Sequence, residues 1–142
     1  MTTNVYRFGE VSEKRLKTCT PRIQLVMRAA LATGLIDLAV LEGVRSQEKQ
    51  DEYFRAHKSK VQWPNSKHNI KSPEDKSRAI DIAPFINGKA SFDQRHCCFM
   101  AGLILGLAKS LGVRLRWGGN WDMDGEPVTD QDFQDLVHFE EI

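Results

Sequence analysis

Between Ser66 and Ile86 the chain reads "SKHNIKSPEDKSRAIDIAPFI". The second half of this stretch has the make-up of a buried strand, with Ala79, Ile80, Ile82 and Ala83 running toward Pro84. In the middle of that apolar run sits a carboxylate, Asp81. A buried carboxylate is costly unless something positive holds it, so the partner of Asp81 is the first question the sequence raises. Arg78, Arg45 or backbone N–H groups would make Asp81 structural. A metal ion shared with histidines would make it functional. The residues by themselves leave both answers open.

Upstream of this strand, Ser12 and Glu13 open a helical pattern whose first apolar anchor is Leu16. Thr20-Pro21 marks a second start, with Thr20 as N-cap and Pro21 at the first helical position. Ile23, Val26, Met27, Ala30 and Leu31 then recur at helical spacing until Gly34 stops the helix. "LAVLEGV" (Leu38 to Val44) reads as a strand, and Ser46 caps a polar helix reaching about His57. Lys58 to Arg78 is mostly polar and reads as an irregular loop, a length that inside a compact domain is often functional. Beyond the Asp81 strand, Asn87-Gly88 turns the chain. Phe92 to Leu111 is the longest and most apolar helix, expected at the centre of the core. Val113 to Trp117 makes a short strand, an acidic loop follows, and Leu136 to Glu140 forms a terminal strand. Helices come first and strands are interleaved and late, with no regular β-α-β alternation. That order predicts a small single α+β domain over residues 1–142.

The bulk numbers exclude several function classes. A chain of 142 residues can bury one real core. Its formal charge of +1 argues against a nucleic-acid binder held by phosphate contacts, which needs a basic face. Cys19, Cys97 and Cys98 are odd in number and include no C-x-x-C pair. A disulfide framework and a cysteine-rich zinc site are therefore not expected. The opening "MTTNVYRFGE" lacks the basic start and apolar core of a signal peptide, and no apolar run approaches the roughly 18 residues of a membrane span.

Among the four histidines, His57, His68, His96 and His138, two have telling contexts. His68 opens the polar loop whose far end delivers Asp81. His138 lies in "LVHFE", with Asp135 three residues before it. A catalytic zinc site commonly takes three protein ligands from His, Asp and Glu and leaves the fourth position to water. His68, Asp81 and His138 would supply such a His₂Asp set.

The segments "EGVRS", "SKHNIKSPEDKSRAIDIAPFINGK", "RLRWGGNWD" and "DLVHFE" resemble, in this order, the phage endolysins of the zinc D-Ala-D-Ala peptidase superfamily. Within it, the chain is most similar to the L-alanyl-D-glutamate endopeptidases, over essentially its whole length. Ser66, His68, Ala79 and Asp81 fill the family's first motif, Ser-x-His-x-x-Gly-x-Ala-x-Asp. Asp135 and His138 fill its second, Asp/Glu-x-x-His. The resemblance implies a hedgehog-like fold, with helices packed on a mostly antiparallel sheet. It implies zinc ligated by His68, Asp81 and His138, Asp135 as general base, Arg45 holding the substrate carbonyl, and Ser66 beside the site. It further implies a peptidoglycan hydrolase that cuts the L-Ala-D-Glu bond of the peptide stem during host lysis. A D-Ala-D-Ala carboxypeptidase or dipeptidase with the same metal site, or a non-catalytic wall-binding module, are the alternative readings. The expected enzyme is a monomer with no separate wall-binding domain and no stable membrane association. It is made in the host cytoplasm and reaches the periplasmic wall through a holin-type lesion. Two features depart from the motif. Ser77 stands where the glycine is usual, and twelve residues separate His68 from Asp81 where the common pattern has six. A surface loop absorbs such an insertion at small entropic cost, and its bearing is on the shape of the substrate groove.

Two further signals are weaker. "WDMDGE" (Trp121 to Glu126) contains half of a calcium-loop pattern, without the glycine and glutamate that complete it, and reads better as a solvated turn. Trp117 and Trp121, on either side of Gly118-Gly119, are candidates for either the groove or the core. Gly43 and Gly118 suit tight backbone positions.

Overall fold

Ile80 and Ile82 are fully buried in the apolar core, while Asp81 between them faces the other way. This is the period-two alternation of a strand, and it resolves how a carboxylate sits inside an apolar run. The strand belongs to a computed structural model that describes residues 4–142, so the first three positions of the N-terminal stretch lie outside the described residues. In chain order the elements are α1 (Glu10–Leu16), α2 (Pro21–Ala32), β1 (Leu38–Glu42), α3 (Gln47–Arg55), β2 (Ala79–Ile86), β3 (Lys89–Ala90), α4 (Gln94–Ser110), β4 (Leu115–Gly118) and β5 (Asp135–Glu141). The sheet runs β1-β2-β5-β4, with β3 paired to the end of β2, and every pairing of these strands is antiparallel. Helices α2 and α4 pack on each other, α4 covers β2, β4 and β5, and α1 lies on β1. The α+β reading and the antiparallel sheet are both borne out.

Local signals explain most boundaries. Thr20 caps α2 by accepting from the Ile23 N–H, with Pro21 at the first helical position, and Gly34 follows the helix at φ 70°. Ser46 caps α3 and Asp93 caps α4. At α1 the expectation needs correction. The helix starts at Glu10 after Gly9, and Ser12 lies inside it. The Ser12 hydroxyl instead accepts from the Val40 N–H of β1 at 3.0 Å, so it serves the helix–sheet contact.

Helix α4 is also not the central buried helix its composition suggests. Cys97, Met100, Ala101, Ile104 and Ala108 form one buried stripe, the spacing of a helix that covers a core from one side. Phe99 on the helix is 56% exposed, and Phe92, which precedes the helix start at Gln94, is 66% exposed. Of the two tryptophans that flank Gly118-Gly119, Trp117 joins the core with Phe139, whereas Trp121 does not.

The far end of the long loop is anchored. Ser77 N–H donates to Thr18 O, Thr20 N–H to Ser77 O, and Arg78 N–H to Lys67 O. The Lys76 ammonium caps the Lys17 carbonyl. The inserted residues thus fold back against the α1–α2 corner.

Candidate active site

On the sheet face opposite the core, Asp81 of β2 sits directly across from His138 of β5. His68 reaches the same point from the loop. Asp81 Oδ1 lies 3.1 Å from His68 Nε2 and 3.2 Å from His138 Nδ1, and the two ring nitrogens are 3.2 Å apart. The outer nitrogens are engaged elsewhere: His68 Nδ1 lies 2.7 Å from Gly43 O, and His138 Nε2 2.8 Å from Glu140 Oε1. A carbonyl and a carboxylate can only accept, so each imidazole keeps an N–H on its outer side. Once free of a proton, both inward nitrogens would turn a lone pair toward the shared point. These three residues could hold a metal ion.

Three such atoms at this separation call for a positive charge among them. Burial by itself pulls the His138 imidazole down, but its bonds to Asp81 and Glu140 overcome this and push it up to about 9. Burial pushes Asp81 up, yet the charges and hydrogen bonds of His68 and His138 hold it well below the usual carboxylate range. Glu140 likewise resists its own burial and is held at about 2 by His138 and Arg116. Of the partners weighed for Asp81, the structure brings the two histidines and Arg45 to it. Oδ1 faces the histidines, while Oδ2 lies 3.6 Å from the Arg45 guanidinium. Arg78 points elsewhere, toward Glu141.

The triad opens into a cleft of about 340 Å³ lined by Arg45, Ser66, His68, Trp121, Asp135 and His138, among others. Asp135 reaches it because β5 bulges. One step along β4, from Trp117 to Gly118, spans Phe139 to Asp135 on β5. The bulge is supported from β4. Trp117 Nε1 donates to Leu136 O at 2.8 Å, and Gly118 lets Asp135 O approach so closely that a Cβ there would lie 2.1 Å from it. Burial first, and then the Asp81 charge, raise the Asp135 carboxyl above its ordinary value, against the pull of His138, His68 and Arg45. Ser66 Oγ accepts from the His68 N–H and so fixes the turn that carries His68.

Arg45 is buried and tightly held. Its Nε donates to Glu42 Oε1 at 2.6 Å and its Nη1 to Gln50 Oε1 at 3.0 Å, and the guanidinium lies 4.7 Å from the Tyr53 ring centre. No residue of the inserted stretch between Asn69 and Ile80 lines the cleft, so the insertion leaves the groove to other segments. The three thiols are free, and burial pushes Cys19 up to about 12 and Cys97 up to about 11, far from reactivity. A second group, Asp122, Asp124 and Asp130, is exposed in the β4–β5 loop. Asp130 was not part of the sequence motif.

The family profile described as Phage L-alanyl-D-glutamate peptidase matches residues 4–142. The chain belongs to this family. The L-alanyl-D-glutamate peptidase of Escherichia phage T5 is 30% identical over 122 residues, 85% of each chain. The crystal structure of the Serratia marcescens L-Ala D-Glu endopeptidase ChiX superposes with a TM-score of 0.66 at 23% identity, covering 96% of this chain and 90% of that one, and shows that the fold is shared. Membership makes the protein a peptidase of the phage lysis type.

Sequence reasoning did not find Glu42, Gln50 or Glu140. Glu140 had a signal, since it lies two residues after His138 in a strand and so on the same face. Glu42 and Gln50 are defined by the fold of Arg45 around them and had none.

Proposed function

We propose that the protein is a zinc-dependent peptidoglycan hydrolase that cleaves the L-Ala-D-Glu bond of the peptide stem. The observation that carries this reading is the triangle of His68 Nε2, Asp81 Oδ1 and His138 Nδ1, with edges of 3.1 to 3.2 Å. Ligands about 2.0 Å from zinc in a tetrahedron are about 3.3 Å apart, so the donor set fits that ion and leaves one direction toward the cleft.

Zinc, when bound, lowers the pKa of water to about 7 and polarises a carbonyl. The residues of the chain do the rest. Asp135, on the cleft wall and raised by burial, accepts the proton of the attacking water and returns it to the leaving amine. Arg45, held by Glu42 and Gln50, keeps a fixed positive charge where the carbonyl oxygen becomes negative. Ser66 keeps His68 in register. No described helix is long and apolar enough to cross a membrane; access to the wall is proposed to follow a membrane lesion made by another protein.

Mass spectrometry of purified peptidoglycan digested with the protein, with and without a chelator, tests this. A new D-glutamate amino terminus on intact glycan is expected, and with chelator that new terminus should not form. Release of D-alanine with the L-Ala-D-Glu bond intact would assign the other bond.

A further inference from the structure

The cleft is lined by five cationic side chains: Arg45, Lys58, Lys60, Lys67 and Arg116. Three are matched by carboxylates. Arg45 binds Glu42, while Lys67 and Arg116 lie 3.4 and 2.7 Å from Glu140. Lys58 and Lys60 take part in none of the ion pairs among the described residues. Each lies over an aromatic ring instead. Lys60 Nζ is 4.9 Å from the Phe133 ring centre and Lys58 Nζ 5.9 Å from that of Tyr53. The Lys60 side of the cleft leads to the triad through stacked rings, since Phe133 stacks on Trp121 and Trp121 packs against His138.

This short segment is anchored from beneath. Gln50, completely buried, donates through Nε2 to Ser59 Oγ at 3.0 Å and to Val61 O at 2.7 Å, the residues on either side of Lys60. The same Gln50 accepts from Arg45. The Lys58 and Ser59 N–H groups both donate to Tyr53 O. One buried amide thus fixes the wall carrying the two unmatched lysines relative to Arg45.

A glutamate whose amine is the scissile nitrogen carries two carboxyl groups. Only one can continue the peptide, so the other stands beside the cut as a free carboxylate or as a capped amide. We propose that Lys60, with Lys58 in the same wall, is the receptor for that free carboxylate, and that the enzyme selects stems whose glutamate is the free acid over stems in which it is amidated. This assignment rests on the proposed cleavage at L-Ala-D-Glu. The lysines act on specificity by placing charge opposite the leaving residue, and the aromatic rings hold the ammoniums toward the cleft without neutralising them. A charge-assisted contact of this kind gives discrimination of about tenfold or more.

The test compares kcat/KM of the zinc-loaded full chain on two synthetic stems that differ only in that carboxylate or carboxamide. The wild type is expected to favour the acid by about tenfold or more, mainly in KM, with the preference fading at high salt. Lys60→Met, which keeps the packing on Phe133, should bring the ratio toward one, while Lys60→Arg should retain it. Calorimetric binding of the two stems to the metal-free chain should rank them in the same order. Equal efficiency on both stems in the wild type, or an unchanged ratio in Lys60→Met together with Lys58→Met, overturns the receptor and leaves the proposed function standing. Cleavage of neither stem at L-Ala-D-Glu overturns both.

Discussion

Asp135 stands at the cleft but outside the triangle of His68, Asp81 and His138, and its proposed role as base separates it from their proposed role as metal ligands. Asp135→Asn keeps the shape and removes the proton acceptor. Metal content should stay at the wild-type level while turnover falls by roughly 10²–10⁴, both measured on one preparation. Full metal with full turnover would remove Asp135 from the mechanism, and lost metal would make it a ligand. His138 gives a second prediction at the same scale. Its proton is held up to about 9, above the ordinary 6.5, and a metal must displace it. Below about 9 each unit of acid therefore opposes binding, so apparent zinc affinity should rise about tenfold per pH unit from 6.5 toward 9, read by competition with a chromophoric chelator. The sign reverses for stability of the metal-free chain. The His138 proton stabilises that fold fully below 6.5, and the contribution is lost as pH rises through about 9. A flat zinc affinity over this range would show that His138 does not exchange its proton for the ion.

The elements explain why some of the site was readable and some was not. Asp81 announced itself because a carboxylate at the centre of "AIDIAP" breaks a strand pattern, and period two sends it to the face opposite Ile80 and Ile82. The geometry of Asp135 and His138 was partly readable as well. Residues three apart in a regular strand face opposite ways, so a shared cleft demanded a bulge, and β5 has one against Gly118. The exposed face of α4 was not readable, because an apolar composition does not tell how many sides of a helix find partners. Nor were the supports of Arg45, which come from Glu42 at the end of β1 and Gln50 in α3. Gly43 shows how an element junction serves the site. Its carbonyl takes the His68 Nδ1 hydrogen, and a Cβ there would lie 2.1 Å from Thr18 Oγ1 and 2.6 Å from Arg15 O. Thr18 Oγ1 in turn accepts from the Val44 N–H. Gly43→Ala must push β1 away from α1, with an expected loss of about 1–3 kcal/mol in denaturant unfolding and weaker metal binding. Wild-type stability in this variant would mean that the junction yields without strain.

Across the whole molecule, α1, α2 and α4 pack on the core side of a single antiparallel sheet and free its other face for chemistry. The sheet then brings together residues far apart in the chain. His68 comes from a loop, Asp81 from the central strand and His138 from the last strand, and neither half of the chain holds the triad alone. A ligand that binds only this assembled state should stabilise all of it, which ties metal, fold and activity into one claim. The most direct measurement strips the protein with a chelator, assays cleavage of purified peptidoglycan, and then restores stoichiometric zinc to the wild type and to His68→Ala and His138→Ala. The wild type should lose activity on stripping and regain it with zinc, together with a higher melting temperature, while both variants stay inactive and unshifted. A stripped wild type that cleaves the wall at an undiminished rate would contradict the account.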